Sequence, residues 1–260
     1  MRVIAIVLSL LSSACVHLTE TGDQAFILTS PAYENQLGVQ GYKEVLAKAS
    51  INKDPRLNAI LQRVGQRLSV HTKQAGFQWE YHLINSKEQN AWCMPGGKIA
   101  VYTGILPLMQ NEAGMAAVLG HEIAHATLRH AGQRISQEML VRLGLSVAEL
   151  SLSNSVYHDN LMGLLGAGAT VGVLLPYSRD HESQADLLGL KYMAQAGYDP
   201  NQAVNFWQRF KNSAGKAPPE FLSTHPGAAT RIEQLRQAMP EAEKVYQGSK
   251  ERWGLGDSLL

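Results

Sequence analysis

Five residues in the middle of the chain, His121-Glu122-Ile123-Ala124-His125, carry two imidazoles and a carboxylate at a spacing that suits metal chemistry. Residues four apart on an α-helix lie about 40° apart around its axis, so both rings share one face. Two such rings reach one tetrahedral zinc ion. Glu122 stands beside them, placed to act as general base toward water at the metal. A catalytic zinc needs a third protein ligand and one open position. Glu182 and Asp186 are the carboxylates to consider: they too lie four apart, and Leu187, Leu188, Leu190, Tyr192 and Met193 follow. A carboxylate buried in such a helix needs a positive partner. Zinc supplies one for Glu182, and Asp186 can accept the second ring N–H of a ligand histidine and fix its tautomer. The plainer alternatives are two satisfied histidines on a core helix, and two acids near a helix start, where the dipole favours them.

These side chains need a scaffold. Asn111 is placed to cap a helix from Glu112 to about His130. Asp54-Pro55 starts a helix that keeps apolar spacing through Leu57, Ile60, Leu61, Val64 and Leu68 to about Ser69. Another helix is expected around 42–49. Phe77, Trp79, Tyr81 and Leu83 alternate with polar residues as a half-buried strand. Two short strands, Asn90–Met94 and Lys98–Thr103, flank a Pro95-Gly96-Gly97 turn. Ser178 caps a helix to about Ala196, with Gly197 as its stop. Asp199-Pro200 and Pro226 open two further helices. The fold class expected is α+β, mostly helical, with a small sheet packed on the helix that carries the histidines.

Across all 260 residues, 23 Lys plus Arg balance 22 Asp plus Glu, and 45% of the chain is hydrophobic. That describes a globular protein with a core of its own. A net charge of +1 gives no electrostatic case for binding nucleic acid. Two cysteines make neither a disulfide framework nor a four-cysteine zinc site. Arg2, the apolar run Val3–Leu11 and the small residues Ser12-Ser13-Ala14 before Cys15 have the parts of a secretory signal. The run is too short to span a bilayer, which takes about 20 residues. Residues 1–14 are therefore expected to be a signal peptide. Small residues before Cys15 resemble the lipobox of bacterial lipoproteins, in which that cysteine carries lipid, and Val16 after it implies the outer membrane. Residues 15–40 are polar and mixed and are expected to be a tether, 41–245 the folded domain and 246–260 a tail.

The larger pattern resembles a known family. His121–His125 is followed by Ser178-Arg179-Asp180-His181-Glu182-Ser183-Gln184-Ala185-Asp186, by Thr224-His225-Pro226 and by Arg231-Ile232. It is preceded by Asn90-Ala91 through Pro95-Gly96-Gly97-Lys98-Ile99 to Gly104-Ile105-Leu106. Over about residues 40–238 this is similar to the gluzincin zinc metallopeptidases of the HtpX, Oma and CAAX-prenyl-protease type. Its size and the lipobox bring it nearest to the LoiP-like periplasmic lipoprotein proteases. The resemblance implies a zincin-like domain holding one Zn²⁺ through His121, His125 and Glu182. It implies Glu122 as base, a supporting role for Asp186, and unfolded or misassembled envelope polypeptides as substrates.

An endopeptidase also needs a donor for the developing oxyanion. His225 is the candidate, with Arg231 holding its segment. Ile99, Ala100, Val101 and Tyr102 are expected to accept substrate as an added strand. His130, His158 and His181 are alternative ligands, each more often a surface or capping residue. Cys93 reads as a small buried residue, and a Cys15–Cys93 disulfide is the alternative to lipidation. Leu161–Leu175 is short for a membrane span and is expected to be a buried or site-covering helix. The opposing functional class is a lipoprotein chaperone or assembly adaptor with a structural zinc, for which a closed four-ligand site would be the mark.

Overall fold

The computed structural model describes residues 15–152, 178–213, 225 and 228–260. The expected signal peptide, His158 and Leu161–Leu175 lie outside the described residues. β1 (Cys15–His17) and β2 (Gln24–Phe26) form an antiparallel hairpin. α1 (Pro31–Leu46) begins at Ser30, whose side chain accepts from Tyr33 N–H, with Pro31 at the first position. α2 (Pro55–Ser69) starts in the same way from Asp54. β3 (Glu80–Ile84), β4 (Ala91–Met94) and β5 (Lys98–Tyr102) follow, then the short α3 (Leu106–Met109) and α4 (Glu112–Thr127). α5 (His130–Leu152), α6 (Arg179–Gln195), α7 (Asn201–Ser213) and α8 (Ala228–Gln247) complete the described elements. This is the expected α+β arrangement, helical around one small sheet.

The sheet runs β3-β5-β4, with β5 parallel to β3 and antiparallel to β4. Side chains alternate between its faces. Tyr81, Ile99 and Cys93 form one cross-strand row, and the Tyr81 ring lies so close to Gly65 of α2 that a Cβ there would clash with it. His82, Ala100 and Trp92 share a row on the opposite face, where Tyr42 of α1 places its hydroxyl 2.6 Å from His82 Nδ1 and its ring edge-on to Trp92. β5 is thus the central strand, bonded on both sides. That corrects the expectation that Ile99–Tyr102 accept substrate, because a strand with two paired edges has no ladder left to offer.

α4 lies at the centre, with every residue from Glu112 to Thr127 buried except Ala117. A helix buried all round reads as apolar all round. Its closest neighbour is α6. Gly120 and Gly189 meet where the helices cross, and a Cβ built on Gly189 would lie 2.7 Å from Gly120 C and His121 N. Side chains at this crossing would part the two helices that carry the metal-ligating candidates. The expected continuation of α4 to His130 is not seen: the helix stops at Thr127, and Arg129 takes φ 55° before α5 begins.

Both ends of the described chain differ from expectation. Residues 15–40 form the hairpin and the start of α1, with Leu18, Ala25 and Ile27 in the core. Leu28 N–H donates to Ser136 Oγ, and Arg129 pairs with Glu34. They are a packed part of the domain and no tether. Residues 251–260 return to the N-terminus of α4, where Glu112 N–H donates to Asp257 O (3.0 Å) and Ala113 N–H to Leu255 O (3.0 Å). Those helix-start amides have no partner within the helix, and the C-terminal segment satisfies them. No helix among the described residues is long and apolar enough to cross a membrane.

Candidate metal centre

α4 presents His121 and His125, α6 presents Glu182 and Asp186, and His225 comes in just before α8. All are buried. His121 Nε2 lies 3.0 Å from His125 Nε2 and 3.1 Å from His225 Nδ1. Glu182 Oε1 lies 3.0 Å from His225 Nδ1 and 3.3 Å from His125 Nε2, and its Oε2 is 3.4 Å from His121 Nε2. One donor atom from each of these four residues falls within 4.8 Å of the others. Four donors at zinc's Zn–N and Zn–O distances in a tetrahedron stand about 3.3 Å apart, so the cluster has the dimensions of such a shell.

Its charge fits as well. Glu122, Glu182 and Asp186 bring three carboxylates and Arg231 one guanidinium, so the site is short of positive charge. Burial and the Arg231 charge oppose a proton on His121, yet Asp186 and Glu182 outweigh them and push its ring up to about 9. Burial also opposes ionisation of Glu182, but the surrounding histidines, His225 first, hold its carboxyl far below the usual range. A divalent cation is what this donor set is short of.

The flanking groups are ordered. Asp186 Oδ1 lies 3.0 Å from His121 Nδ1, the nitrogen turned away from the cluster. Arg231 Nε and Nη2 donate to the two Asp186 oxygens at 2.6 and 2.5 Å, and its Nη1 lies 2.7 Å from Glu182 Oε2. The guanidinium carbon rests 3.6 Å from the centre of the Trp207 ring. Burial works against the Asp186 charge, but Arg231 more than compensates and its carboxyl stays below the ordinary range. The sequence pattern had marked Arg231 only as a holder of its own segment. In the structure it ties both α6 carboxylates to α8.

Glu122 is different. Its Oε1 is buried without a hydrogen bond, 3.5 Å from His225 Nε2. Burial, ahead of the opposing His225 and His121 charges, raises its carboxyl above the usual value. A buried acceptor without a donor costs about 1–3 kcal/mol, so this oxygen adds nothing to stability. His225 departs from the expectation of an oxyanion donor beside the substrate: its Nδ1 stands in the donor set, 3.1 Å from His121 Nε2. His130 and His181 lie behind the cluster, with His130 Nδ1 2.9 Å from His125 Nδ1. Cys93 is buried and Cys15 exposed, both as free thiols, so no disulfide joins them. Burial, then the nearby Glu122 charge, pushes the Cys93 thiol well up. β4, which carries Cys93, packs against α4, the helix that carries Glu122.

Two histidines of one helix turn, a carboxylate from a second helix and a glutamate at their side define a zincin-like metallopeptidase centre. The comparisons give its family. A model of peptidase family M48 matches residues 53–239, and the chain belongs to that family, whose metalloproteases use zinc. The chain is 35% identical over 218 residues to the mitochondrial metalloendopeptidase OMA1 of Schizosaccharomyces pombe, covering 81% of this chain and 62% of that protein. It is 33% identical over 183 residues to the protein of the same name in Saccharomyces cerevisiae, covering 67% of this chain and 51% of that one. It is 26% identical over 242 residues to the beta-barrel assembly-enhancing protease of Escherichia coli K12, covering 90% of this chain and 49% of that protein. The chain thus spans from about half to under two thirds of the length of these relatives.

Proposed function

We propose that the chain is a zinc endopeptidase of the bacterial cell envelope that cuts misfolded or unassembled polypeptides. The observation that carries the reading is Glu122: a buried carboxylate whose Oε1 has no hydrogen bond, one residue from His121 on the helix and 3.5 Å from His225 Nε2, beside four converging metal donors. His121, His125 and Glu182 would hold the ion, and Asp186 would fix the His121 ring through its outward nitrogen. Zinc there would polarise a peptide carbonyl and lower the pKa of bound water toward about 7. Glu122 then takes a proton at Oε1 and returns it to the leaving amine, a role its raised pKa suits. Arg231 keeps Asp186 ionised and ties both carboxylates in place. A catalytic centre needs an open position, so if His225 were to act as a fourth donor it would have to leave that place for substrate to enter.

β4 supports substrate capture better than β5. Among the described residues it is an outer strand of the sheet, and it packs against α4, the helix that carries Glu122, so an extended peptide can add to its free edge. Backbone hydrogen bonds make few demands on sequence, which suits a protease of damaged chains. A substrate complex without backbone bonds to Ala91–Met94 defeats this. Cys15, exposed at the first described residue, is where a lipid anchor to the outer membrane would attach. Fatty-acid labelling that survives Cys15→Ser removes the anchor from the proposal.

The four-donor set also favours a second reading, a chaperone or assembly adaptor with a closed structural zinc. Glu122→Gln separates the two, because it keeps the donors and removes the base. Cleavage of an unstructured polypeptide is expected to fall about 100- to 10,000-fold, with zinc content unchanged. A Glu122→Gln protein that retains full biological function would establish the adaptor. His225→Ala sharpens the result: with three donors left, zinc and cleavage are expected to persist, and loss of cleavage with zinc intact would restore the oxyanion role.

A further inference from the structure

His130 is fully buried, and its contacts single it out among histidines outside the donor set. Its Nδ1 lies 2.9 Å from Nδ1 of His125, the His125 nitrogen turned away from the metal site. Its Nε2 lies 3.0 Å from Gln184 Oε1. One proton assignment serves all three groups while leaving the His125 Nε2 lone pair for a metal. His125 Nδ1–H donates to His130 Nδ1, and His130 Nε2–H donates to Gln184 Oε1. The His181 ring stacks on His130 at 4.2 Å and 16°, and its own Nε2 lies 3.2 Å from Gln133 Oε1. The plane of the His130 ring is therefore set as well as its hydrogen bonds.

The backbone is bent to make this contact. In an unbroken helix, a residue five positions on lies about 140° around the axis, out of reach of its partner. The chain instead breaks at Arg129, whose φ of 55° is in the left-handed region. Such a conformation costs a non-glycine residue roughly 1–3 kcal/mol. Glu34 holds it, accepting from Arg129 Nε at 3.0 Å and Nη2 at 2.7 Å, while Nη2 also donates to Thr29 O at 2.8 Å. The break restarts the helix with His130 under His125.

We propose that His130 is a positioning residue: it fixes the tautomer and ring orientation of His125 so that Nε2 faces the metal, and Gln184 fixes His130 in turn. The two histidine ligands are then supported unequally. His121 leans on the Asp186 carboxylate, whereas His125 leans on a neutral ring backed by an amide. The inference rests on the reading that His125 holds the ion.

The test measures zinc affinity by chelator competition and the visible absorption of the cobalt-loaded full chain. His130→Leu fills the space without an acceptor, and His130→Asn returns an acceptor close to the place of Nδ1. The first is expected to bind zinc about 10- to 100-fold more weakly and to shift the cobalt bands. The second is expected to recover most of both. Unchanged affinity and spectrum in His130→Leu overturn the proposal, as does a folded His130→Asn that is no better than His130→Leu. Should His130→Leu fail to fold, Gln184→Leu at an exposed position takes its place, and an unchanged cobalt spectrum there overturns the proposal equally. His125→Gln is the control: if it binds zinc like the unaltered chain, the ligand reading itself fails and this inference goes with it.

Discussion

α4 carries two clusters of buried charge, one in its first turn and one in its second half. At the first, Glu112 is met by Arg63, by Arg67 at 3.3 Å and by the Tyr198 hydroxyl at 2.8 Å. Its backbone N–H is met by Asp257 O, and Arg67 lies 3.6 Å over the Trp253 ring. At the second, three carboxylates face one arginine, histidine nitrogens crowd together, and Glu122 Oε1 has no hydrogen bond. The first cluster is complete with protein groups alone, and the second is complete only with a cation. Their difference separates what holds the helix from what the helix is for.

Removing the metal is the strongest way to probe that difference. A ligand that binds only the folded state stabilises it by about 4 kcal/mol when present at a thousand times its dissociation constant. Chelation is expected to cost the protein an amount of that order, read as a fall in the denaturation midpoint. The same increment is expected in a Glu112→Ala background. If Glu112→Ala abolishes the response to chelator while the protein stays folded, the two clusters are not independent and the comparison fails.

The two clusters were also unequally visible in sequence. His121, Glu122 and His125 declare themselves by spacing, and Glu182 and Asp186 by being charged within an apolar helix. Arg231 did not, because an arginine one turn into a helix reads as solvated until its distant partners are known. The Glu112 cluster was missed for a related reason: the groups that complete it include backbone carbonyls of residues 255 and 257, and a carbonyl has no sequence signature. The sequence pattern around Pro95-Gly96-Gly97 does not tell which of its two strands is outer, because β3, the parallel partner of β5, is distant in the chain. Ser30-Pro31 carries the same start signal as Asp54-Pro55 but sits in a polar stretch whose composition is that of a tether. Arg129 gave no warning, since arginine rarely takes positive φ.

Glu112→Ala gives the next largest effect. Breaking a fully buried ion pair costs about 3–5 kcal/mol. Here the partners are not fully buried: the side chains of Arg63 and Arg67 are 35% and 23% exposed, so water can take over part of the lost pairing. A loss of about 1–3 kcal/mol is expected, with the denaturant slope unchanged. Zinc affinity is expected to hold, because His121 and His125 lie about two and a half to three and a half turns further along the helix. A fall in affinity comparable to that expected of His130→Leu would show that the first turn tunes the metal site.

The smallest effect separates side chain from backbone within the first cluster. Asp257 pairs with Arg63 at 2.8 Å, but its carboxylate is 70% exposed. Exposed pairs of this kind contribute about 0–1 kcal/mol and weaken with salt. The carbonyl of the same residue receives the Glu112 N–H and would survive substitution. Asp257→Ala is therefore expected to lower the midpoint of thermal unfolding by under about 3 °C, and by less still in high salt. Deleting residues 253–260 removes both carbonyl acceptors and Trp253 together and is expected to cost clearly more. If the point substitution matched the deletion, the tail would be held by charge, and the first cluster would depend on its surface after all. If it does not, the helix that carries the metal ligands is pinned at its start by backbone hydrogen bonds that salt and surface substitution leave untouched.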